Sequence, residues 1–406
     1  KKQKMYCGDE VAAVVCDIGY SNARFGYAGE DIPKVYLSGE IGHDETQALG
    51  SENEWAITDA ELSVLRPGIV THHAVNAEGC FANWDALEKI WAKGFEYLNA
   101  GPSAKESGQA GGHGIIMSEG IWTTETERSQ MMELMFEKFE APALFMAKSA
   151  SLASFACGRS TSLVVDCGAG GTSIVPVLDG YVLKKPAQRT SRGGQYLSEQ
   201  VSEFLDENHI KLNTQAACLS GGTKRMSDGS LVTASSESLE QRNKLTLCDQ
   251  VKKELCGLPL VLGIADAELA PHLPVSGMSN ICELPDGTTV NLSPKLFRIP
   301  ECLFSSTETN MQTGMQTGGV IPGWNSPLQG CIHNSLELCD IDIRKELMNN
   351  ILLTGAGSQY VTCCVVLNTK LFVALSTFIP SIPSIYLSLV LYLFLYLFLC
   401  VPSPLC

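Results

Sequence analysis

Positive charge is scarce in this chain. Its 406 residues carry 29 Lys and Arg against 44 Asp and Glu, a formal net charge of −15. A surface of that sign repels a phosphate backbone, which excludes an electrostatic nucleic-acid binder. Any contact with nucleic acid has to run through protein partners or a local patch, and Lys224-Arg225 and Lys252-Lys253 are too small to be one. Metal-ligand patterns are missing as well. Twelve of the 16 cysteines precede residue 361, none of them forms a Cys-x-x-Cys pair, and no cluster of His accompanies them. That excludes a zinc site and a disulfide framework, and fits scattered buried thiols in a reducing compartment. Behind Lys1-Lys2-Gln3-Lys4 there is no apolar stretch, so no secretory signal is expected.

What is present is a phrase that occurs twice. Val14-Val15-Cys16-Asp17-Ile18-Gly19 ends an apolar run in Asp-x-Gly, and Leu163-Val164-Val165-Asp166-Cys167-Gly168 does the same 149 residues on. In each copy a β-rich run delivers an aspartate to a strand end, and the glycine allows a sharp turn there. One Asp-x-Gly reads as an ordinary hairpin turn. The pair weighs more because the downstream patterns agree. Arg24-Phe25-Gly26-Tyr27 and a turn at Gly29–Pro33 follow the first copy; Thr172–Val177, Asp179-Gly180 and Tyr181-Val182-Leu183 follow the second. This is a duplicated β-hairpin unit at the start of two related α/β domains. Two such turns facing each other make a phosphate clamp lined by backbone N–H groups, with two carboxylates able to orient a hydrated Mg²⁺.

Helical signals lie between and after the copies. Asn83 is an N-cap for a helix to Leu98, with Leu87, Ile90, Trp91, Phe95 and Leu98 on one face. Ala100–Gly114 reads as a loop and Ile115-Ile116-Met117 as a short buried strand. Thr124 and Glu127 form a capping box that opens a helix with Met131, Met132, Met135, Phe136 and Phe139 on its apolar face, stopped by Pro142. Ala143–Cys157 reads as a further helix. Gly193-Gly194 precedes a helix bearing Leu197, Val201, Phe204 and Leu205, whose first amides are able to contact a nucleotide. Leu219–Glu240 reads as a polar exposed insertion, and Glu283–Val290 as a hairpin. Leu352–Ser358 is a third strand followed by a Gly loop, the place to look for a nucleoside contact.

Taken in order, several phrases resemble the actin superfamily, and more narrowly the nuclear actin-related protein 4 family. They are Met5–Val11, Gly26–Lys34, Met132–Pro142, Gly158-Arg159-Ser160-Thr161 and Cys339-Asp340-Ile341-Asp342-Ile343-Arg344. The resemblance covers roughly Met5 to Tyr360. It implies an α/β, ribonuclease H-like duplicated two-domain fold around a nucleotide cleft. The small domain would span 5–149 with the first phosphate loop, and the large domain 150–360 with the second phosphate loop and the adenosine loop. Matching motifs residue by residue, the nucleotide-binding positions are Asp17, Gly19, Tyr20, Arg24, Asp166, Gly168, Gly170, Gly194, Gly355, Gly357 and Tyr360. Arg24 stands where actins carry a phosphate-binding lysine, Gly194 matches a ribose or adenine contact, and Asp17 and Asp166 would hold Mg²⁺ through water. The implied ligand is ATP or ADP with Mg²⁺.

The departures from the family pattern bear on turnover. Actins that hydrolyse ATP use a glutamine, an aspartate and a histidine to position water and metal; the matching residues here are Ser149, Ala169 and Ser173. Serine is too short to reach an attacking water, and Ala169 removes a carboxylate near the metal. Tyr20-Ser21 replaces a small pair in the first loop, and Ala356 stands at a glycine position. No catalytic residue is therefore expected, and nucleotide turnover is expected to be weak or slow.

The tail is foreign to the pattern. From Val361 to Cys406 the only charged residue is Lys370, and Leu387–Leu399 is low-complexity Leu, Tyr, Phe, Ser and Val. One reading is a membrane tail anchor, since Ile385–Val401 spans 17 residues. The other is translated non-coding sequence, and it is preferred because the tail stands in place of fold that actins require. The resemblance as a whole implies a nuclear, non-catalytic subunit of chromatin-remodelling and histone-acetyltransferase complexes, with the cytoplasm as a second compartment. Its implied partners are monomeric actin and a helical docking segment of a remodelling ATPase or scaffold subunit, with chromatin contacted indirectly. Direct sequence-specific nucleic-acid binding is not expected, and membrane contact only if the tail is real. The rivals are an ATP-hydrolysing cytoskeletal actin, a tail-anchored membrane protein and a small-molecule kinase.

Overall fold

The computed structural model describes residues 13–45, 54–63, 68–98, 113–214, 236–259, 265–273, 279–285, 287–304 and 327–359. The chain divides into two compact units that interleave along the sequence. One gathers Lys1–Leu152, Ser198–Lys253 and Ile281–Asn291; the other gathers Ala153–Leu197, Glu254–Asn280 and Leu292–Cys406.

The first unit holds a five-stranded sheet. Strands β1 (Val14–Ile18), β2 (Asn22–Tyr27), β3 (Val35–Ser38), β7 (Ile115–Glu119) and β8 (Leu144–Lys148) lie in the order β3-β2-β1-β7-β8. β1 pairs antiparallel with β2 and parallel with β7, and β7 runs parallel to β8. Period-two alternation puts Val14, Cys16, Phe25, Ile115 and Met117 into the core and leaves Asp17 and Arg24 on the other face. The helix Trp84–Leu98 covers the buried face with Leu87, Ile90, Trp91 and Phe95. Asn83 caps it as expected, its Oδ1 accepting from the Ala86 amide at 3.0 Å. A smaller sheet, β4 (Glu40–Asp44), β5 (Trp55–Ala56) and β6 (Ile69–His73), has the order β5-β4-β6.

The capping box at Thr124 and Glu127 is present, with both reciprocal hydrogen bonds formed. The helix Glu125–Glu133 then widens into a π-helical turn over Leu134–Lys138 and ends before Pro142. Met131 and Met135 are fully buried, but Met132 and Phe136 are exposed, so the apolar face is narrower than its sequence suggests. They lie one position round the helix from the buried pair, outside the sheet-facing stripe. The expected helix over Ala143–Cys157 is half strand. Leu144–Lys148 is β8, and only Ser149–Ala156 is helical. Five registered parallel pairs with β7 override the local helical pattern.

The second unit holds β9 (Ser162–Cys167), β10 (Thr172–Leu178), β11 (Tyr181–Val182) and β15 (Ile351–Thr354) in the order β11-β10-β9-β15, with β12 (Gln188–Thr190) also on β10. Asp179 and Gly180 both have positive φ, 50° and 83°, which closes the tight hairpin that Asp-Gly announces. Helix Leu328–Leu338 packs on β10 and β12, and Ile341–Asn349 on β9. The helix Gly194–Glu207 buries Leu197, Val201 and Leu205.

β13 (Ile281–Glu283) and β14 (Thr289–Asn291) form the expected hairpin. The proposed polar insertion falls mostly outside the described residues. Its end at Ser236–Glu240 instead opens a helix, Glu237–Leu255, and Leu239 is fully buried. Among the described residues no helix is long and apolar enough to cross a membrane. The tail 361–406 lies outside them.

Candidate functional site

The first Asp-x-Gly is a strand-end loop between β1 and β2. Gly19 turns it, its amide donating to the Asn22 carbonyl at 2.9 Å. Gly39 buttresses it from below. The Gly39 amide donates to the Ser21 carbonyl at 2.8 Å, and a Cβ on Gly39 would stand 2.5 Å from the Gly19 carbonyl oxygen. Only glycine allows that approach. Asp17 pairs across the strands with Arg24, whose Nη1 lies 3.2 Å from Asp17 Oδ2. From the other side the Ser118 hydroxyl donates to Asp17 Oδ1 at 2.5 Å. Both carboxylate oxygens are thus engaged.

Tyr20, at the tip of this loop, stacks on His73 of β6 with ring centroids 3.9 Å apart and planes 17° from parallel. His73 Nδ1 lies 3.2 Å from the Tyr20 carbonyl, and its Nε2 lies 4.0 Å from Glu40. Burial, then the nearby carboxylates of Glu40 and Glu199, pushes the Tyr20 phenol up to about 12. The phenol stays neutral at physiological pH.

The second Asp-x-Gly, between β9 and β10, is clasped more tightly. The Gly168 amide donates to the Gly171 carbonyl at 3.0 Å. Its own carbonyl, and that of Ala169, accept from the first amides of the helix Gly194–Glu207: Gly194 at 2.9 Å and Gln195 at 2.8 Å. A Cβ on Gly193 would lie 2.6 Å from the Gly171 nitrogen, so the glycine pair ahead of the helix allows backbone-on-backbone contact. The helix consumes loop acceptors. The amides of Ala169 and Gly170 make no hydrogen bond among the described residues.

The third loop joins the second. Gly355 has φ +84°, and a Cβ there would meet the Cys167 carbonyl oxygen at 2.4 Å and Asp166 Oδ1 at 2.6 Å. Gly357 approaches Cys167 likewise, a Cβ meeting its carbonyl oxygen at 3.0 Å. Within the second unit, Asp166, Gly168, Gly170, Gly194, Gly355 and Gly357 therefore converge. Asp17, Gly19, Tyr20 and Arg24 converge within the first. Tyr360 lies outside the described residues.

Of the three positions that the resemblance matches to water- and metal-positioning groups, Ser149 opens a helix at the end of β8, Ala169 sits in the second loop, and Ser173 stands opposite Asp166 on β10. The loop backbone fits a nucleotide phosphate. At Asp17 each carboxylate oxygen accepts one hydrogen bond, which leaves acceptor capacity for water on both. Among the described residues there is no group of three or more His, Cys, Asp and Glu able to hold a metal ion.

Sequence reasoning did not single out Ser118, His73 or Gly39 as site-forming. Ser118 was findable, because a buried strand at 115–117 parallel to β1 brings its next residue beside Asp17. His73 was not, since nothing local links it to Tyr20.

The sequence model of the actin family matches residues 8–371, eleven residues beyond the Tyr360 boundary that the motifs suggested. The chain is 31% identical over 385 residues to actin-related protein 4 of Arabidopsis thaliana, covering 87% of this chain and 83% of that protein. It is 30% identical over 389 residues to actin-related protein 4 of Oryza sativa subsp. indica, covering 87% and 84%. Against actin-related protein 4 of Yarrowia lipolytica it is 28% identical over 369 residues, covering 87% and 81%.

Proposed function

The chain belongs to the actin family and is similar to actin-related protein 4 members of it, and on that premise we propose that it is a non-catalytic subunit of nuclear chromatin-remodelling and histone-acetyltransferase assemblies. In this reading it pairs with monomeric actin and docks on a helical segment of a remodelling ATPase or scaffold subunit. It binds ATP or ADP, and the nucleotide is held rather than turned over. One observation carries the non-catalytic part. The three positions where hydrolysing actins place a glutamine, an aspartate and a histidine hold Ser149, Ala169 and Ser173. None of these side chains is long enough to hold a water in line with a terminal phosphate. The acidic chain, with net charge −15, supports contact with chromatin through partners rather than directly.

Two measurements test the reading. Affinity purification of the tagged chain from nuclear extract is expected to recover actin and a remodelling ATPase. Its absence from such assemblies in nuclear extract refutes the adaptor role. Phosphate release from purified protein loaded with γ-labelled ATP is expected at or near the buffer rate. Turnover at the rate of filament-forming actin refutes the holding role.

A further inference from the structure

The first loop rests on a shelf made by two strands of the smaller sheet. Gly39, just ahead of β4, donates its amide to the Ser21 carbonyl at 2.8 Å, and its own carbonyl accepts from the Ala74 amide at 3.0 Å. Beside that backbone contact, His73 at the end of β6 stacks on the Tyr20 ring, with Nδ1 3.2 Å from the Tyr20 carbonyl oxygen. Glu40 stands opposite His73 in the β4–β6 register, so the two side chains share a face.

The shelf is gripped in turn from outside. β6 is an edge of its sheet, and the start of the helix Glu237–Leu255 holds that edge. The Ser236 hydroxyl donates to the Ile69 carbonyl, and the Thr71 amide donates to the Ser238 hydroxyl at 3.2 Å. Leu239 closes a buried cluster with Ala56, Leu62 and Ile69. One turn further on, Arg242 Nε lies 3.4 Å from Glu40 Oε2 and its Nη2 lies 2.6 Å from Asp59 Oδ1. The other Glu40 oxygen, Oε1, is the one 4.0 Å from His73 Nε2. One carboxylate therefore stands between the helix and the imidazole that touches the loop tip.

We propose that Arg242 is a positioning residue for the first loop: it holds Glu40, Glu40 orients His73, and His73 holds the tip at Tyr20, so that the seating of the helix Glu237–Leu255 sets how well ordered the loop is. The proposal goes beyond the nucleotide reading and does not depend on it. The Arg242–Glu40 pair differs from a surface pair, since its side chains are 11% and 16% exposed. Removing the guanidinium leaves a mostly buried carboxylate uncompensated, and Glu40 has to turn toward solvent to recover hydration. His73 then loses the oxygen that faces its Nε2. An imidazole with an oxygen at each nitrogen is fixed in orientation, and one with a single contact is free to turn about it. Coupling of this kind needs an unbroken run of contacts, and here every step is a printed side-chain contact within one compact unit.

The test is hydrogen–deuterium exchange of the full chain without added ligand. It is read at the Gly19 and Gly39 amides, which are bonded to the Asn22 and Ser21 carbonyls, with the Gly168 amide of the second loop as the control. Arg242→Met keeps the apolar stem and removes the charge. It is expected to speed exchange at Gly19 and Gly39 by about ten-fold, the scale of one lost charge-assisted contact, and to leave Gly168 unchanged. His73→Phe keeps the stack and loses both nitrogen contacts, and is expected to match it. The two substitutions together are expected to add nothing. Arg242→Lys, which keeps a charge for Glu40, is expected to recover most of the protection. Parental exchange in Arg242→Met overturns the proposal, because the loop then rests on the Gly39 backbone alone. Equal acceleration at Gly168 overturns it too, and makes Arg242 a general support of the fold. So does additivity of the two losses, which shows that Arg242 does not act through His73.

Discussion

Gly355→Ala offers the sharpest stability test, because two independent penalties meet at one atom. The residue has φ +84°, where an L side chain costs about 1–2 kcal/mol. The added Cβ would also stand 2.4 Å from the Cys167 carbonyl oxygen and 2.6 Å from Asp166 Oδ1, against 3.4–4 Å for ordinary contact. To relieve that overlap the end of β9 has to yield by about an ångström, an overpacking cost of roughly 1–3 kcal/mol. The total is about 2–5 kcal/mol, a large share of the roughly 5–15 kcal/mol that holds a typical domain together. Gly29→Ala is the matched control. Its φ is +89°, but nothing lies within 4 Å of the added Cβ, so only the backbone penalty applies. Urea denaturation followed by circular dichroism is expected to show Gly355→Ala less stable than Gly29→Ala by roughly 1–3 kcal/mol. Equal losses at the two glycines would refute the close approach of the third loop to Asp166.

Three further outcomes follow from contacts elsewhere. Glu119, with its side chain 1% exposed, is paired with Lys148 Nζ at 3.1 Å and Arg128 Nε at 3.6 Å. Lys148→Met is therefore expected to cost about 3 kcal/mol in denaturant titrations, and pairing it with Glu119→Gln to restore most of that loss. Asn83→Ala removes the cap of the helix Trp84–Leu98 and is expected to cost about 1 kcal/mol, with Asn83→Asp near neutral by thermal melting. At Asp249 burial raises the carboxyl, but Lys252 and Lys253 outweigh it and hold the group below its usual range. A depressed folded value gives stability that is present above the unfolded pKa and lost as pH falls through the folded one. Asp249→Asn is expected to be less stable at neutral pH and to converge with the parent in acid, so parallel stability–pH curves would refute the pairing.

What could be read from sequence alone was whatever short-range chemistry fixes. The Asn83 cap, the Thr124–Glu127 box and the Asp179-Gly180 turn each close over a few residues, so their geometry needs no tertiary context. Both Asp-x-Gly turns were legible for the same reason. Leu144–Lys148 was not, because its strand state comes from β7, a segment about 30 residues upstream. Met132 and Phe136 were misplaced because the stripe they belong to by spacing is wider than the face the sheet covers. The stack of Tyr20 on His73 joins two sheets, and no local pattern announces it.

The two copies of the Asp-x-Gly unit agree in backbone and differ in the side chains beside the aspartate, and that division is informative. Both copies have a glycine turn and close backbone support, from Gly39 in one and Gly193 in the other, where an added Cβ would meet the loop backbone at 2.5 and 2.6 Å. The hairpin partner of each aspartate is not constrained in that way. It is where one copy carries the Arg24 charge and the other carries Ser173. On the proposed reading these choices act together. Arg24, paired with Asp17, supplies positive charge beside the first loop, while Ser173, Ala169 and Ser149 leave no group to align a water. Charge without water alignment stabilises a bound phosphate and does nothing for its cleavage, since phosphoryl transfer depends on positioning the nucleophile as well as on neutralising charge. Restoring water alignment, by Ser149→Gln, Ala169→Asp and Ser173→His together, is then expected to raise phosphate release in Mg²⁺ above that of the parent.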